Sequence, residues 1–328
     1  MNIVNEYLPA GFYTAGNLNP TFDWEKQSIA VYDKYAILFG MIAMMYLPTV
    51  FGLKNYMDKR EAYDLKVPLV CWNFLLAIFS LYGAIVTMPP ALERIQQNGM
   101  LSAICDNSCY VHPASGMVLY FNLSKMPEFV DTIFLRLRKK PVIFLHWYHH
   151  IMTMIYCWYG NQLGTFFNCS GWYFASMNLT VHAIMYTYYG LAAMGYGRAM
   201  AKRGLNKVIT TIQLAQMVGG IVILFYSTGC DKFDTNGFAA ASVMYGSYLL
   251  LFGKLFIDKY IYPKPRKQES SKIKQLKIKH EEKVKQLEEE FTLKLKQLRE
   301  TQKMELKNAK NEIANMVEKE DKDKKKKN

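Results

Sequence analysis

The chain has 328 residues, 51% of them hydrophobic, and a formal net charge of +13. Residues 264–328 hold 34 of the 67 charged side chains, 21 basic and 13 acidic, and therefore +8 of the net charge. The remaining basic residues flank apolar segments rather than forming one surface, which excludes a nucleic-acid-binding protein.

Seven apolar runs between residues 30 and 262 are long enough to cross a bilayer, which needs about 20 residues per helix. In chain order they are 33–53, 67–88, 114–136, 141–160, 166–190, 206–228 and 238–260. The first 30 residues have neither a basic start nor an apolar core, so we expect no cleavable signal peptide. We predict an all-α, polytopic membrane protein in three parts. These are a lumenal N-terminal segment (1–32), a seven-helix transmembrane domain (33–262) and a charged cytosolic tail (263–328), coiled-coil-like or otherwise helical, or disordered.

The short loops alternate in charge and set the predicted orientation. Twelve Lys and Arg residues occur in one set of loops, 54–66, 136–140 and 198–207. Only two occur in the other set, 89–113, 161–165 and 229–237. Because basic loops stay in the cytosol, the N-terminus is predicted to be lumenal and the tail cytosolic.

Four of the six cysteines are predicted to lie at or near the lumenal side, where disulfides are permitted. They are Cys105, Cys109, Cys169 and Cys230. A bond between Cys105 and Cys230 would join two lumenal loops; free lumenal thiols are the alternative.

Four predicted helices carry polar side chains at one depth, about 6–17 Å from the cytosolic face at 1.5 Å per residue. In chain order these are Lys125, Glu128, Asp131, Thr132; His146, His149, His150; Asn178, His182; and Thr210, Gln213, Gln216. Such groups are rare inside a membrane and face a cavity or a partner. The layer therefore indicates a buried reaction chamber or a transport site open to the cytosol.

Histidine can serve as a metal ligand, a general base or a nucleophile. The six histidines of the chain are too few for a membrane di-iron oxygenase, although one zinc held by histidines with Glu128 and Asp131 stays open. A neutral imidazole in an apolar pocket is a competent nucleophile toward a thioester. The basic cytosolic mouth would suit the polyphosphate of coenzyme A; its residues are Arg136, Arg138, Lys139, Lys140, Lys202, Arg203 and Lys207.

Four stretches, "KMPEFVDT", "LHWYHH", "NLTVHAIMYTYY" and "TTIQLAQ", resemble in order the KxxExxDT, HxxHH, NxxHxxMYxYY and TxxQxxQ motifs of the ELO family of very-long-chain fatty acid elongases. The resemblance spans about residues 30–262. It implies a seven-helix protein of the endoplasmic reticulum that acts as a 3-ketoacyl-CoA synthase. The substrates would be malonyl-CoA and a long-chain acyl-CoA, without a cofactor or metal, in a setting of membrane lipid. Ketoacyl-CoA reductase and the other elongation enzymes are the expected partners, and a homo-oligomer is an option.

The resemblance also implies roles for individual residues. His149 would carry the acyl group and His182 would assist, while His146 and His150 would orient them. Hydrogen bonds or charge would come from Lys125, Glu128, Asp131, Asn178 and Gln213. Trp147 and Pro141 match the family branch that elongates saturated and monounsaturated chains, which favours saturated, monounsaturated or methyl-branched substrates of about C12–C18. A seven-helix transporter or receptor is the alternative.

The tail predicts a long helix with an apolar stripe, interrupted as a heptad pattern at His280 and Lys294. The stripe comprises Leu276, Val284, Leu287, Phe291, Leu295 and Leu298. A solvated arm, self-pairing, a partner protein and anionic lipid all remain open. Lys325 and Lys326 lie near the C-terminus in the dilysine arrangement that directs retrieval to the endoplasmic reticulum.

Overall fold

A computed structural model describes residues 24–106, 109, 114–162, 168–231, 233–263 and 267–325. The described residues are almost entirely helical, and none of them lies in a β-strand. The chain divides after Tyr262 into two compact units, so each is described by itself. Residues 1–23 of the predicted lumenal segment (1–32) lie outside the described residues.

Nine α-helices belong to the described part of the first unit. They are α1 Trp24–Asp58, α2 Lys66–Cys105, α3 Ser115–Ser124, α4 Val130–Leu137, α5 Phe144–Gln162, α6 Ser170–Leu191, α7 Gly197–Lys202, α8 Leu205–Ser227 and α9 Thr235–Phe256. A 3₁₀ turn, Pro127–Phe129, precedes α4, and π-helical turns follow α6 at Ala192–Tyr196 and α9 at Ile257–Ile261. The second unit contains one helix, α10, Lys267–Lys325.

Four of the described helical segments are long and apolar enough to cross a membrane: Ala30–Asp58, Lys66–Cys105, Leu205–Ser227 and Thr235–Ile261. By length and composition, the described residues therefore contain four candidate membrane spans, not the seven that were predicted. Helices α5 and α6, with 19 and 22 residues, are long enough, but their His, Asn and Tyr side chains lower the mean hydropathy. Of the helices that carry the predicted polar layer, α8 meets both criteria, whereas α3 to α6 do not.

The predicted single helix 114–136 is wrong, because the structure divides it. Helix α3 ends at Ser124, and the 3₁₀ turn begins at Pro127. Proline has no N–H for an α-helical hydrogen bond and its ring clashes with the preceding turn. The Ser124 hydroxyl donates to the Phe121 carbonyl at 2.7 Å. The break brings three polar side chains of this segment to one point, as described below.

The predicted connection 89–113 is also wrong over its first half, since α2 continues to Cys105 with Pro89 and Pro90 inside it. The helix changes direction at Gly99, whose positive φ of 73° suits glycine. The prediction ended this helix near residue 88 because the mean hydropathy falls after Thr87. The structure contains two disulfides in this region, Cys105–Cys230 and Cys109–Cys169.

Small residues let the helices around the site approach closely. A Cβ on Gly83 of α2 would lie 2.9 Å from the Leu179 side chain of α6. A Cβ on Gly220 of α8 would collide with the Tyr245 ring of α9. Buried Trp172 donates its indole N–H to the Thr87 carbonyl at 3.0 Å and so adds to the contact between α2 and α6. The predicted loop 198–207 contains the short helix α7.

Candidate active site

Two cavities meet at the middle of the helix bundle. The larger has a volume of about 410 Å³ and the narrower about 90 Å³. Four residues line both of them: His149, Asn178, Gln216 and Met217. His149 therefore lies between the two cavities and faces both.

The larger cavity collects most of the predicted site residues. It is lined by Asp131, His146, His150, His182 and Gln213 in addition to the shared residues. Its outer end reaches Asn206 in the first turn of α8 and Lys259 in the π turn after α9. This cavity therefore holds the polar residues of the site among apolar ones, and it has a basic residue at its outer end.

The narrower cavity runs the other way along the bundle. It extends from Gln216 to Ser227 on α8 and from Tyr248 to Gly237 on α9, about 16 Å along each helix at 1.5 Å per residue. Ten apolar and aromatic residues form much of its wall: Phe121, Tyr156, Cys157, Phe174, Leu224, Phe233, Phe238, Ala241, Met244 and Tyr245. Polar residues also line it, among them Asn122, Thr153, Asn168, Ser170, Ser227 and Asp234. The shape and lining suit an extended hydrocarbon chain.

The imidazole of His149 has a nitrogen with no partner. Nδ1 is buried and makes no hydrogen bond within the part of the chain that the structure describes. The Tyr248 hydroxyl donates to the His149 carbonyl at 3.0 Å, and the two rings lie 4.8 Å apart. A buried unpaired polar atom is unfavourable and calls for a functional explanation. The contact with Tyr248 therefore holds His149 in place, while Nδ1 of His149 stays without a partner among the described residues.

His146, by contrast, is engaged. Its Nε2 lies 3.0 Å from the Thr132 hydroxyl, which is 2.8 Å from the Tyr46 hydroxyl. Tyr46 stacks on Phe129 at 3.9 Å between ring centroids. His150 is 9% exposed and packs between the rings of His146 and His149 at 4.5 and 5.8 Å. Both imidazoles are thus held in place beside His149.

A buried ion pair lies at the break before α4. Lys125 Nζ and Glu128 Oε1 are 2.6 Å apart, with the two side chains 3% and 7% exposed. The Ser124 hydroxyl donates to the same Glu128 oxygen at 3.1 Å. Lys125 also donates to Asn178 Oδ1 at 3.3 Å. Because the amide oxygen of Asn178 accepts from the ammonium, its NH₂ group is the part left to face other ligands.

Asp131 joins three helices. One carboxylate oxygen accepts the Trp72 indole N–H at 2.6 Å, and the other accepts the Tyr186 hydroxyl at 2.7 Å. Tyr186 packs edge-on against His182 at 5.3 Å between centroids. Asp131 therefore positions α4 against α2 and α6, and through Tyr186 it supports His182.

Gln213 lines the larger cavity and its Nε2 lies 3.3 Å from the Met185 sulfur. Gln216 is buried and lines both cavities. Among the residues described, no group of three or more His, Cys, Asp or Glu side chains is arranged to hold a metal ion.

The predicted coenzyme A residues lie outside the cavity walls. Of the basic side chains described, Lys259 is the one that lines the larger cavity, and sequence reasoning missed it. Lys207 neighbours Asn206 on α8 and lies 5.8 Å from the Phe256 ring centroid. Lys139 donates to the Arg60 carbonyl at 2.7 Å. The other members of the predicted set are partly or fully exposed: Arg136, Arg138, Lys140, Lys202 and Arg203.

Three further residues were also missed: Tyr46, Trp72 and Tyr248. Each is an aromatic residue that reads as apolar, yet each places a hydroxyl or an indole N–H on a site residue. The signal in the sequence is the occurrence of tyrosine and tryptophan at the predicted depth of the polar layer. Lys325 ends α10, and Lys326 lies outside the described residues.

Comparison with known proteins identifies the family of this chain. Residues 31–268 match the family model described as "ELO: GNS1/SUR4 family". Very long chain fatty acid elongase 6 of Gallus gallus is 39% identical over 227 residues, 67% of this chain and 83% of the relative. Long chain fatty acid elongase 1 of Caenorhabditis elegans is 38% identical over 228 residues, 67% and 77% of the two chains. Very long chain fatty acid elongase 6 of Homo sapiens is 36% identical over 252 residues, 75% and 90%. The chain belongs to the ELO family.

Proposed function

We propose that this protein is the condensing enzyme of fatty acid elongation, a 3-ketoacyl-CoA synthase that joins malonyl-CoA to a long-chain acyl-CoA. The observation that carries the proposal is the position of His149 on the wall of two cavities, with its Nδ1 unpaired among the described residues. The larger cavity holds the polar site residues and a lysine at its outer end, and the narrower one has ten apolar and aromatic residues along its length. An acyl-CoA has the same two parts, a polar headgroup and a hydrocarbon chain, with the thioester between them.

The first half-reaction is acyl transfer to His149. An imidazole nitrogen attacks the thioester carbonyl, the carbon–sulfur bond breaks, and the imidazole N–H proton passes to the departing thiolate. The products are free coenzyme A and an acyl-imidazole. Splitting one difficult transfer into two easier ones is the general advantage of a covalent intermediate.

Asn178 is suited to stabilise the oxyanion of this step. Lys125 holds its amide oxygen, so the NH₂ group can donate toward the carbonyl oxygen on which charge develops. A preorganised donor of this kind contributes about 10²–10³ in rate. The buried pairing with Glu128 keeps Lys125 in place and balances its charge.

The second half-reaction forms the new carbon–carbon bond. Malonyl-CoA loses carbon dioxide, and the electron pair left on its α-carbon attacks the acyl carbonyl. The bond to the imidazole breaks, and the departing imidazole nitrogen of His149 takes a proton from water. The product is a 3-ketoacyl-CoA two carbons longer than the starting chain. We assign His182 to this step, since it lines the larger cavity and is supported by Tyr186.

The narrower cavity limits the acyl chain. Its length of about 16 Å fits roughly a dozen extended carbons, because a chain with C–C bonds of about 1.5 Å advances about 1.25 Å per carbon. This length supports the short end of a range of about C12–C18, the longer chains needing a bend or a deeper cavity. The expectation of saturated, monounsaturated or methyl-branched chains rests on Trp147 and Pro141 through the family resemblance.

We further propose seven membrane spans in the endoplasmic reticulum, with the tail in the cytosol. The charge difference between the two sets of loops supports this orientation. It also puts both disulfides in the compartment where they persist. The larger cavity then opens to the cytosol, where malonyl-CoA and acyl-CoA enter. Lys259 and the basic loops would meet the coenzyme A phosphates.

The test is a condensation assay on the purified protein with palmitoyl-CoA and malonyl-CoA labelled at C2. We expect a labelled 3-ketoacyl-CoA with the parent, and none with His149→Ala. His280→Ala, a histidine exposed on α10, is the matched control and should retain full activity. Absence of product from the parent with every chain from C12 to C18 would refute the proposed function and favour a transporter.

A further inference from the structure

The tail contains an internal repeat of 11 residues. Aligned, the four copies read "IKQLKIKHEEK" (273–283), "VKQLEEEFTLK" (284–294), "LKQLRETQKME" (295–305) and "LKNAKNEIANM" (306–316). Each copy begins with an aliphatic residue, then lysine, then Gln or Asn, then Leu or Ala. Eleven residues in three turns correspond to about 3.67 residues per turn, close to the 3.6 of a straight α-helix.

Positions 1, 4 and 8 of the repeat form one narrow row, here called the seam. They lie within about 65° on the helix surface. The seam comprises Ile273, Leu276, His280; Val284, Leu287, Phe291; Leu295, Leu298, Gln302; and Leu306, Ala309, Ile313. Ten of these twelve residues are apolar, whereas five of the other 32 in the four copies are. The apolar residues are therefore concentrated in the seam.

The seam side chains that the structure describes, from Leu276 to Ile313, are exposed. Helix α10 is continuous over 59 residues, about 88 Å long, and forms a unit of its own. Leu287, Phe291 and Leu298 are 57%, 65% and 61% exposed. Long helices in water owe most of their stability to packing of an apolar face, so this seam requires a partner.

The width of the seam favours another helix over a lipid surface. Three positions in eleven match the narrow seam of a coiled coil, while membrane-surface helices present a wide apolar face. A second copy of this chain is the partner at hand, since two copies in one membrane release their tails on the same side and in parallel.

The charges beside the seam agree with a parallel, in-register pair. Positions 5 and 11 flank the seam on opposite sides. Lys283 would meet Glu288 of a second copy, and Glu305 would meet Lys310. A third pairing, Lys294 with Arg299, is repulsive. Two of the three flanking pairs are thus attractive.

We propose that α10 pairs with α10 of a second copy as a parallel two-stranded coiled coil built on the 11-residue repeat, which makes the enzyme a dimer through its tail. An 11-residue repeat gives a right-handed supercoil, in contrast to the left-handed one of heptads. This proposal does not depend on the proposed reaction mechanism.

Two neighbouring polar residues test the repeat itself. The 11-residue repeat puts Gln302 in the seam, whereas heptads continued from Leu287 would put Thr301 there. We would introduce Gln302→Cys or Thr301→Cys into the full-length protein with Cys71→Ser, in native membranes, and oxidise the cysteines. We expect at least a tenfold higher yield of cross-linked dimer from Gln302→Cys. Equal yields or the reverse order would overturn the proposal.

Charged substitutions in the seam give a second readout. Leu287→Lys with Leu298→Lys should abolish the Gln302→Cys cross-link, whereas Lys285→Leu with Lys296→Leu, outside the seam, should preserve it. The fluorophore bimane on Leu287→Cys should not be quenched by brominated anionic lipid in liposomes. Cross-linking that survives the lysine substitutions would refute self-pairing through the seam. Strong quenching by the lipid would also refute it and would show that the seam lies on a membrane surface.

Discussion

His146, His149 and His150 come from adjacent turns of α5, yet their contacts differ. His146 bonds to Thr132, and His150 packs between its two neighbours. His149 lines both cavities and keeps Nδ1 without a partner in the described structure. Their spacing in the sequence places all three histidines on one side of the helix. Only their contacts with the surrounding residues distinguish their roles.

Asn178 offers a test of oxyanion stabilisation. Asn178→Asp keeps the size of the side chain but removes the NH₂ donor, so kcat should fall about 10²–10³-fold while KM for acyl-CoA changes little. Steady-state kinetics with palmitoyl-CoA measure this, and Asn236→Asp on the exposed first turn of α9 is the control. A raised KM with an unchanged kcat would assign Asn178 to substrate binding instead.

The Lys125–Glu128 pair offers a test of stability. Lys125→Met leaves a buried carboxylate unpaired, which should lower the free energy of unfolding by about 3–5 kcal/mol. Adding Glu128→Gln removes the stranded charge and should restore most of the loss. Thermal unfolding in detergent compares the two variants with the parent. Equal stability of the single and double variants would show that the pair does not act as a unit.

Sequence reasoning found the polar residues of the site but not the aromatic residues that hold them. Spacing along one helix predicts which side chains share a face. It does not predict that Trp72 meets Asp131 or that Tyr248 meets His149, contacts that join residues 59 and 99 positions apart. Those depend on how the helices pack.

At the scale of the elements, the prediction of an all-helical membrane protein is confirmed, while several boundaries are wrong. Hydropathy ended the second helix near residue 88, although α2 continues to Cys105. It also joined α3 to α4 across Pro127. Both errors arise where buried polar or small residues interrupt an apolar run, because a window of hydropathy cannot separate a helix end from a change in its surroundings.

Helix α9 sets the length of the narrower cavity and so offers a test of chain selection. Ala241 is 1% exposed, lines this cavity and lies about 10 Å along the helix from Tyr248. Ala241→Leu should shorten the space, so the ratio of kcat/KM for C10 to that for C16 acyl-CoA should rise at least tenfold. Ala239→Leu, exposed on the same helix, is the control. An unchanged ratio in both variants would place the acyl chain elsewhere.

At the scale of the whole molecule, the proposed orientation can be measured in sealed microsomes with Cys71→Ser and a membrane-impermeant maleimide. Lys59→Cys, exposed at the end of α1, should be labelled in intact vesicles. Cys105 and Cys230, which form a disulfide, should be labelled only after reduction and permeabilisation. Labelling of reduced Cys230 in intact vesicles would reverse the proposed orientation.

The central claim is that His149 carries the acyl group between the two half-reactions. Intact-protein mass spectrometry after mixing the purified enzyme with palmitoyl-CoA, without malonyl-CoA, tests it most directly. We predict a mass increase of one palmitoyl group that disappears when malonyl-CoA is added and is absent from His149→Ala. An adduct that persists in His149→Ala, or 3-keto product formed by a parent enzyme that never shows an adduct, would contradict the account.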